Sequence, residues 1–125
     1  MIMYEQLILV FILLMAKHTI ADYFLQRMWM IQDKSIYGAP GGIWHAAIHG
    51  IGTVLVLVPF LVSNLLAIVL ALLDALIHYH IDYVKSNIWK KYNLQNTQTE
   101  YWILQGVDQY LHFLTYALII YIIGA

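Results

Sequence analysis

Long apolar runs separated by short polar stretches dominate the chain, and this pattern predicts four helices. We expect the helices to span about residues 3–27, 43–61, 64–86 and 101–123. Each is close to the roughly 20 residues that a helix needs to cross a bilayer. The polar stretches 28–42 and 87–100 would connect them, with a turn at Pro40–Gly42. The predicted fold is therefore all-α: one domain, residues 1–125, forming a polytopic bundle of four transmembrane helices.

Polar residues recur inside the predicted helices at a spacing of three or four, which places them on one helix face. The longest such stripe is Asp74, His78, Asp82 and Lys85 in the third helix. The other stripes are His18, Asp22 and Gln26 in the first helix, His45 and His49 in the second, and Asp108 and His112 in the fourth. Because charge inside an apolar helix is costly, these stripes must face a partner, a cavity or a metal.

His80 and Lys17 lie inside the predicted helices but off the polar stripes. His80 lies roughly 160° around the helix from His78, since each residue turns the helix by about 100°, and we expect it to contact a neighbouring helix. Lys17 lies one position off the first stripe, and we expect its ammonium to reach toward the membrane interface. Gly50 and Gly52 in the second helix would let another helix approach closely.

Helix direction and internal similarity both predict that the stripes meet. Alternating helices bring the stripes toward one side of the membrane, with Asp74 about two turns deeper than Asp82. The first two helices also resemble the last two, since His18 and Asp22 correspond to His78 and Asp82. An axis along the membrane normal would relate the two pairs, although such short matches also arise by convergence.

The loop charges predict an orientation in the membrane. Basic residues lie on the same side as the stripes: Arg27, Lys34, Lys85, Lys90 and Lys91. The side that holds Ser63–Asn64 and both termini has none. Under the positive-inside rule, the stripes and longer loops face the cytoplasm, and both termini lie outside the inner (plasma) membrane. We interpret the first apolar run as a retained span, because it lacks a basic start and a small-x-small cleavage site.

Composition supports a lipid environment and narrows the chemistry. The chain is 62% hydrophobic and 10% charged, whereas soluble domains are about 25% charged. The net charge of −1 gives no indication of a nucleic-acid partner. There is no cysteine, which excludes disulfides and thiolate ligands. The expected partner is the lipid bilayer, and the sequence also allows a homo-oligomer.

The residue types on the stripes predict a divalent-metal site. Imidazole and carboxylate groups suit zinc, manganese or iron. Di-iron bundles use Glu and Glu-x-x-His, whereas the stripes of this chain contain no glutamate, so zinc or manganese is favoured over a di-iron centre. The candidate ligands are His18, Asp22, His45, His49, His78, Asp82, Asp108 and His112. This number exceeds what one tetrahedral zinc needs. Either two ions bind, or some aspartates orient histidines, as we expect for the deep Asp74.

Other polar residues are candidates for work on a substrate. Asp22 and Asp74 are candidate general bases. Lys34 and Lys85 are candidates to hold a phosphate as point charges, although both also fit the positive-inside pattern. Gln26 and Gln109 are candidates to hydrogen-bond the substrate or the ligands.

At these positions the chain resembles a family of small bacterial and phage membrane proteins, described as domain of unknown function 3307. The matching motifs are His18-x-x-x-Asp22-Tyr-x-Leu-Gln26 with Lys34 downstream, His45-x-x-x-His49, His78-x-x-Ile-Asp82-Tyr-x-Lys85 and Asp108-Gln109-x-x-His112. Tyr23 stands where the family pattern has Phe. The layout is also distantly similar to small proteins described as membrane-bound metal-dependent hydrolases. That similarity implies a metal site and leaves the substrate open.

Together these features predict a membrane-embedded metal-dependent hydrolase that acts on a lipid-linked or membrane-associated phosphate or ester at the cytoplasmic leaflet. Two alternatives stay open: a proton or metal-ion transporter or channel, and a structural protein whose polar ring joins the helices. A transporter would need a polar route to the outer face, but the outer halves of the first and fourth helices are nearly all apolar. A structural protein would tolerate the replacement of Asp by Asn and of His by Gln.

Overall fold

The computed structural model describes residues 2–60 and 63–125, and every regular element in these ranges is helical. The elements are α1 (Tyr4–Thr19), a π-helical segment that continues it (Ile20–Phe24), α2 (Met28–Asp33), α3 (Pro40–Leu57), α4 (Asn64–Tyr92) and α5 (Thr99–Gly124). Four are long and apolar enough to cross a membrane: α1 with its π segment, α3, α4 and α5. The all-α fold with four membrane-spanning helices is therefore confirmed.

Helix α4 extends beyond the predicted end at residue 86. It begins after Ser63, whose hydroxyl accepts a hydrogen bond from the Leu66 amide. It ends at Asn93, which takes the left-handed conformation, with φ 47°, that closes many helices. The residues become more polar after Ser86, but the helix itself continues to Tyr92.

The predicted connection 28–42 contains more helix than its polar sequence indicates. It includes the short helix α2, and Pro40 lies in the first turn of α3 instead of forming a turn before it. Proline suits that position because the first amides of a helix need no partner within the helix. Helix α3 ends at Leu57, shortly before Pro59. Its predicted end at residue 61 lies outside the described residues.

The π segment is a feature that periodicity did not predict. Its hydrogen bonds reach one residue further than those of an α-helix, as in the bond from the Leu25 amide to the Ile20 carbonyl, 3.1 Å long. Asp22 lies in the middle of this segment. Such local rewinding is frequent at functional sites, and here it coincides with the predicted metal ligand of the first helix.

The four spanning helices form a closed ring. Helix α3 packs against α1 and α4, and α5 also packs against α1 and α4. Within the described residues, α1 and α4 therefore lie diagonally across the bundle, as do α3 and α5. This arrangement is the one expected if the pairs α1/α3 and α4/α5 are related by an axis along the bundle.

The bundle interior divides into an apolar half and a polar half. The apolar core contains Val10, Leu14, Leu57, Ala67, Leu70, Tyr116 and Ile119. The polar half contains the predicted stripes. Large apolar side chains such as Ile12, Leu55 and Leu72 lie exposed on the outside of the bundle. Charged groups inside and apolar groups outside are what a lipid environment requires.

Candidate metal centre

All four spanning helices bring their stripes into one buried cluster. The five histidines of the stripes, His18, His45, His49, His78 and His112, are almost completely buried. Three of their rings form a stack, with centroid distances of 3.6 Å between His49 and His78 and 4.2 Å between His78 and His112. Asp22, Asp82 and Asp108 lie around this stack. The structure thus places all eight candidate ligands in one region.

Asp22 is surrounded by histidines of the first helix pair. Its Oδ2 atom lies 3.1 Å from His18 Nε2, across one helical turn. Its Oδ1 atom lies 3.1 Å from His45 Nε2 and 2.9 Å from His49 Nε2, both on α3. Gln26 follows the π segment, and its Nε2 donates a hydrogen bond to the Asp22 carbonyl. Gln26 thus stabilises the end of that segment.

Asp82 is the counterpart on α4. Its Oδ2 atom lies 3.1 Å from His78 Nε2 and 3.5 Å from His45 Nε2, while Oδ1 lies 3.4 Å from His112 Nε2. Lys34 also reaches Oδ2, at 2.8 Å. The loop that carries Lys34 is fixed to α4, where the Tyr79 hydroxyl accepts a hydrogen bond from the Gly38 amide.

Asp108 completes the cluster on α5. Its Oδ1 atom lies 3.3 Å from His112 Nε2, and its Oδ2 atom accepts from Lys85 at 3.3 Å. Gln109 joins the two halves of the cluster: its Nε2 donates to Asp108, and its Oε1 lies 3.1 Å from His18 Nε2. Both predicted lysines therefore lie on carboxylates at the loop end of the cluster.

Several buried polar atoms in this cluster have no hydrogen-bond partner. They are His45 Nδ1 and Nε2, His78 Nδ1 and Nε2, His112 Nε2, Asp108 Oδ1 and Gln26 Oε1. Asp82 Oδ2 also lacks a hydrogen bond of suitable angle, but it pairs with the Lys34 ammonium at 2.8 Å. His78 Nε2 and Asp82 Oδ2 are close, yet their angles do not fit a hydrogen bond. Two atoms held by one tetrahedral ion at about 2.0–2.1 Å would lie about 3.3 Å apart without pointing at each other. The spacing and the nitrogen and oxygen donors therefore fit a divalent metal.

Distances alone define three overlapping sets of ligand atoms, in each of which the atoms lie within 4.8 Å of one another. The sets are Asp22, His45, His49 and His78; His18, His78 and His112; and Asp82, Asp108 and His112. His78 and His112 each belong to two sets. This overlap provides enough donors for either one ion or two neighbouring ions.

Asp74 lies outside these three sets and binds a cation of the protein itself. Its Oδ2 accepts from Lys17 Nζ at 2.8 Å and from the Thr53 hydroxyl at 2.5 Å. Lys17 is only 8% exposed, and its ammonium also donates to the Tyr116 hydroxyl at 3.2 Å. The expectation that Lys17 reaches the interface was wrong. The ammonium turns inward because the deep carboxylate of Asp74 provides a partner that lipid cannot.

A comparison with protein families identifies the group to which this chain belongs. The family model described as "Protein of unknown function (DUF3307)" matches residues 10–125. The chain belongs to the DUF3307 family. No curated protein and no solved structure matches it.

The DUF3307 structure adds three polar residues that the sequence analysis did not assign to the cluster: Lys17, Thr53 and Tyr116. Two of them continue a stripe by one turn, since Thr53 follows His49 and Tyr116 follows His112 at a spacing of four. That periodicity was a signal that could have found them. Lys17 could have been found from charge, because a buried Asp74 carboxylate requires a cation as its partner.

Two glycines of α3 allow close contacts at this end of the DUF3307 bundle. A Cβ atom on Gly50 would lie 3.2 Å from the Ala71 carbonyl oxygen, so this glycine brings α4 close, as predicted. A Cβ atom on Gly52 would lie 2.5 Å from Cγ of Lys17. Gly52 thus makes room for the lysine stem, which crosses α3 on its way to Asp74.

His80 lies outside the cluster, as predicted from its angle. Its Nε2 lies 3.1 Å from the Tyr37 hydroxyl, and its Nδ1 lies 2.8 Å from the Leu76 carbonyl oxygen. His80 also borders a groove of about 310 Å³ between α4 and α5, with Lys85 and Asp108 in its wall. Apolar side chains form the rest of this groove, so an alkyl chain could lie in it with its head near the cluster.

Proposed function

We propose that this DUF3307 protein binds one or two divalent metal ions, with zinc best suited, and hydrolyses a lipid-linked phosphate or ester. The observation that carries the proposal is the set of buried atoms without partners on His45, His78, His112 and Asp108, which lie around the Asp82 carboxylate. Each such atom costs about 1–3 kcal/mol if nothing binds it. A shared metal cation would remove that cost for the histidine nitrogens, which the Lys34 ammonium cannot do because it has no lone pair to accept and no site to coordinate.

The chemistry expected of the bound metal is that it makes water nucleophilic at neutral pH and polarises the bond to be cleaved. Asp22 is the better candidate for general base, because its partners are imidazoles, whereas Asp74 is paired with the Lys17 ammonium and accepts from Thr53. Lys34 and Lys85 are 11% and 22% exposed in their side chains, and both lie on cluster carboxylates. Their ammonium groups are therefore within reach of a phosphate at the loop end of the cluster.

The α4–α5 groove supports a substrate with an alkyl chain. Val84, Ile88 and Val107 in its walls are apolar, and Asp108 connects it to the cluster. A lipid phosphate lying in this groove would have its tail in lipid and its head beside Lys85. The charges of the loops favour the cytoplasmic leaflet for this site, with both termini outside.

The rival function, transport of protons or metal ions, has less support. The half of the bundle opposite the cluster is packed with apolar residues such as Leu14, Leu57 and Leu70. An ion would have to cross this layer without polar partners, which is costly. We therefore expect no flux of zinc or protons into liposomes that contain the protein.

The metal is tested by elemental analysis of detergent-purified protein. We expect stoichiometric metal in the wild type and a loss of it in His78→Gln, because His78 offers two nitrogens without partners. The matched control is His80→Gln, two residues along the same helix but outside the cluster, which should keep its metal. A folded wild-type protein without metal would end the proposal.

The hydrolase activity is tested with dodecyl phosphate and dodecyl acetate, which share an alkyl chain and differ in the bond to be cleaved. We expect zinc-loaded wild type to release phosphate or acetate, and a chelator or His78→Gln to abolish this release. Lys85→Met should slow release from the phosphate more than release from the acetate. Zinc-loaded protein that cleaves neither compound would leave a metal site without the proposed hydrolysis.

A further inference from the structure

Lys17 has an acceptor for each of its three ammonium protons. Besides Asp74 Oδ2 at 2.8 Å and the Tyr116 hydroxyl at 3.2 Å, its Nζ faces His49 Nδ1 at 3.5 Å. An ammonium group can donate hydrogen bonds but cannot accept them. Every group that faces Lys17 must therefore present a lone pair to it.

Tyr116 passes this constraint to His18. Because its hydroxyl oxygen accepts from Lys17, the hydroxyl proton is free to donate to His18 Nδ1, 2.8 Å away. A neutral imidazole that accepts at Nδ1 carries its proton on Nε2. His18 Nε2 then donates to Gln109 Oε1 and faces Asp22 Oδ2, both at 3.1 Å. Both acceptors suit that proton.

His49 is under the same constraint directly. Its Nδ1 faces the ammonium, so its proton belongs on Nε2, which donates to Asp22 Oδ1 at 2.9 Å. This pair has the angles of a hydrogen bond, unlike the pairs His45–Asp22 and His78–Asp82. A metal on His49 Nε2 would move the proton to Nδ1 and point it at the ammonium. That arrangement places two donors face to face.

We propose that Lys17 divides the histidine cluster into two functions. Through Tyr116 and directly, it keeps the protons of His18 and His49 on Nε2, where His18 donates to Gln109 and His49 donates to Asp22, so these two histidines are positioning residues and not metal ligands. The ligands come instead from His45, His78 and His112 with the neighbouring carboxylates. This inference rests on the metal centre proposed above, and it assigns Lys17 a role that the proposed hydrolysis does not require.

Replacement by glutamine separates the two groups of histidines. Glutamine keeps one donor and one acceptor, as a neutral histidine does, but it is a poor metal ligand. We expect His49→Gln and His18→Gln to retain stoichiometric metal, with affinity reduced by at most about 10–100-fold, as for groups that orient ligands. The matched variant His45→Gln on the same face of α3 should lose the metal. Equal loss in His49→Gln and His45→Gln would overturn the division.

The hydrogen-bond order is tested without metal by ¹⁵N NMR of the histidine rings in the metal-free protein. We expect His18 and His49 to carry their protons on Nε2. In the double variant Lys17→Met/Asp74→Asn, which removes both charges of the buried pair, this preference should weaken. A His49 ring protonated on Nδ1 in the wild type would overturn the role of Lys17. Wild-type protein that binds no metal yet shows these tautomers would refute the proposed function while leaving the hydrogen-bond order intact.

Discussion

Asp22 and Asp82 occupy equivalent places in the two helix pairs, but their surroundings differ. Each follows a histidine by four residues and faces histidines of the next spanning helix. Around Asp22, the nitrogens of His18 and His49 all have partners. Around Asp82, those of His78 have none. His45 lies near both aspartates, and its nitrogens also lack partners. The same spacing of residues thus produces two hydrogen-bonded histidines beside Asp22 and unsatisfied ring nitrogens beside Asp82.

The positions of the lysines explain this difference. Lys17 lies below the histidines of the first pair, and Ile77 holds the equivalent position in α4. In turn, Lys85 lies at the loop end of the second pair, and Leu25, just after the π segment, holds the equivalent position in the first pair. The Lys17 ammonium determines which ring nitrogens of His18 and His49 carry protons. The Lys85 ammonium instead contacts a carboxylate, that of Asp108. Asymmetry in charge, more than in histidine number, distinguishes the two halves.

The largest expected effect comes from removing the cation of the first half alone. Lys17→Met leaves Asp74 buried without its charge partner, which we expect to lower the free energy of unfolding by about 3–5 kcal/mol. Unfolding in mixed detergent micelles measures this loss. Ile77→Met at the equivalent position is the control and should cost under about 1.5 kcal/mol. Adding Asp74→Asn to Lys17→Met should recover much of the loss, and an additive double variant would contradict the pairing.

A second prediction compares the two aspartates directly through metal affinity. We expect Asp82→Asn to abolish stoichiometric binding, because the Asp82 carboxylate lies within 3.5 Å of the unpartnered Nε2 atoms of His45, His78 and His112. Asp22→Asn should weaken binding by about 10–100-fold, as expected for a residue that orients ligands. Competition with a chelator of known affinity measures both variants. A greater loss in Asp22→Asn would reverse the assignment of the two halves.

The smallest effect concerns the room that Lys17 needs. Gly52→Ala places a methyl group against the lysine stem, and overpacking of this kind costs about 1–3 kcal/mol. A Cβ atom on Gly106 in α5 would have no neighbouring atom within 4 Å, so Gly106 is the matched control. Gly106→Ala should stabilise its helix by up to about 1 kcal/mol. Thermal unfolding of the two variants should therefore shift in opposite directions, and a neutral Gly52→Ala would indicate that the stem can move aside.

The bundle and most of the cluster could be predicted from periodicity, because a spacing of four fixes which helix face a residue occupies. Once the helices packed with these faces inward, His45, His78 and His112 had to lie in the interior of the bundle. The direction of Lys17 was not predictable in the same way, since a long side chain between two faces can turn toward either. Its partner Asp74 is 57 residues away in the sequence, and only packing brings the two to one depth.

The π segment was also beyond sequence reasoning. Its residues, Ile20–Phe24, have no composition that separates them from an ordinary α-helical turn. What rewinds the helix there is a tertiary demand, since Asp22 must meet nitrogens from both α1 and α3. Local propensity carries no information on such a demand.

The pairing of Lys17 with Asp74 has a consequence for biogenesis. The ammonium is inserted with the first spanning helix and the carboxylate with the third, so each charge enters the bilayer alone. A solitary charge at the centre of a spanning helix costs about 2.5–3.5 kcal/mol during insertion. The nascent chain therefore gains a partner for Lys17 only after α4 has been synthesised.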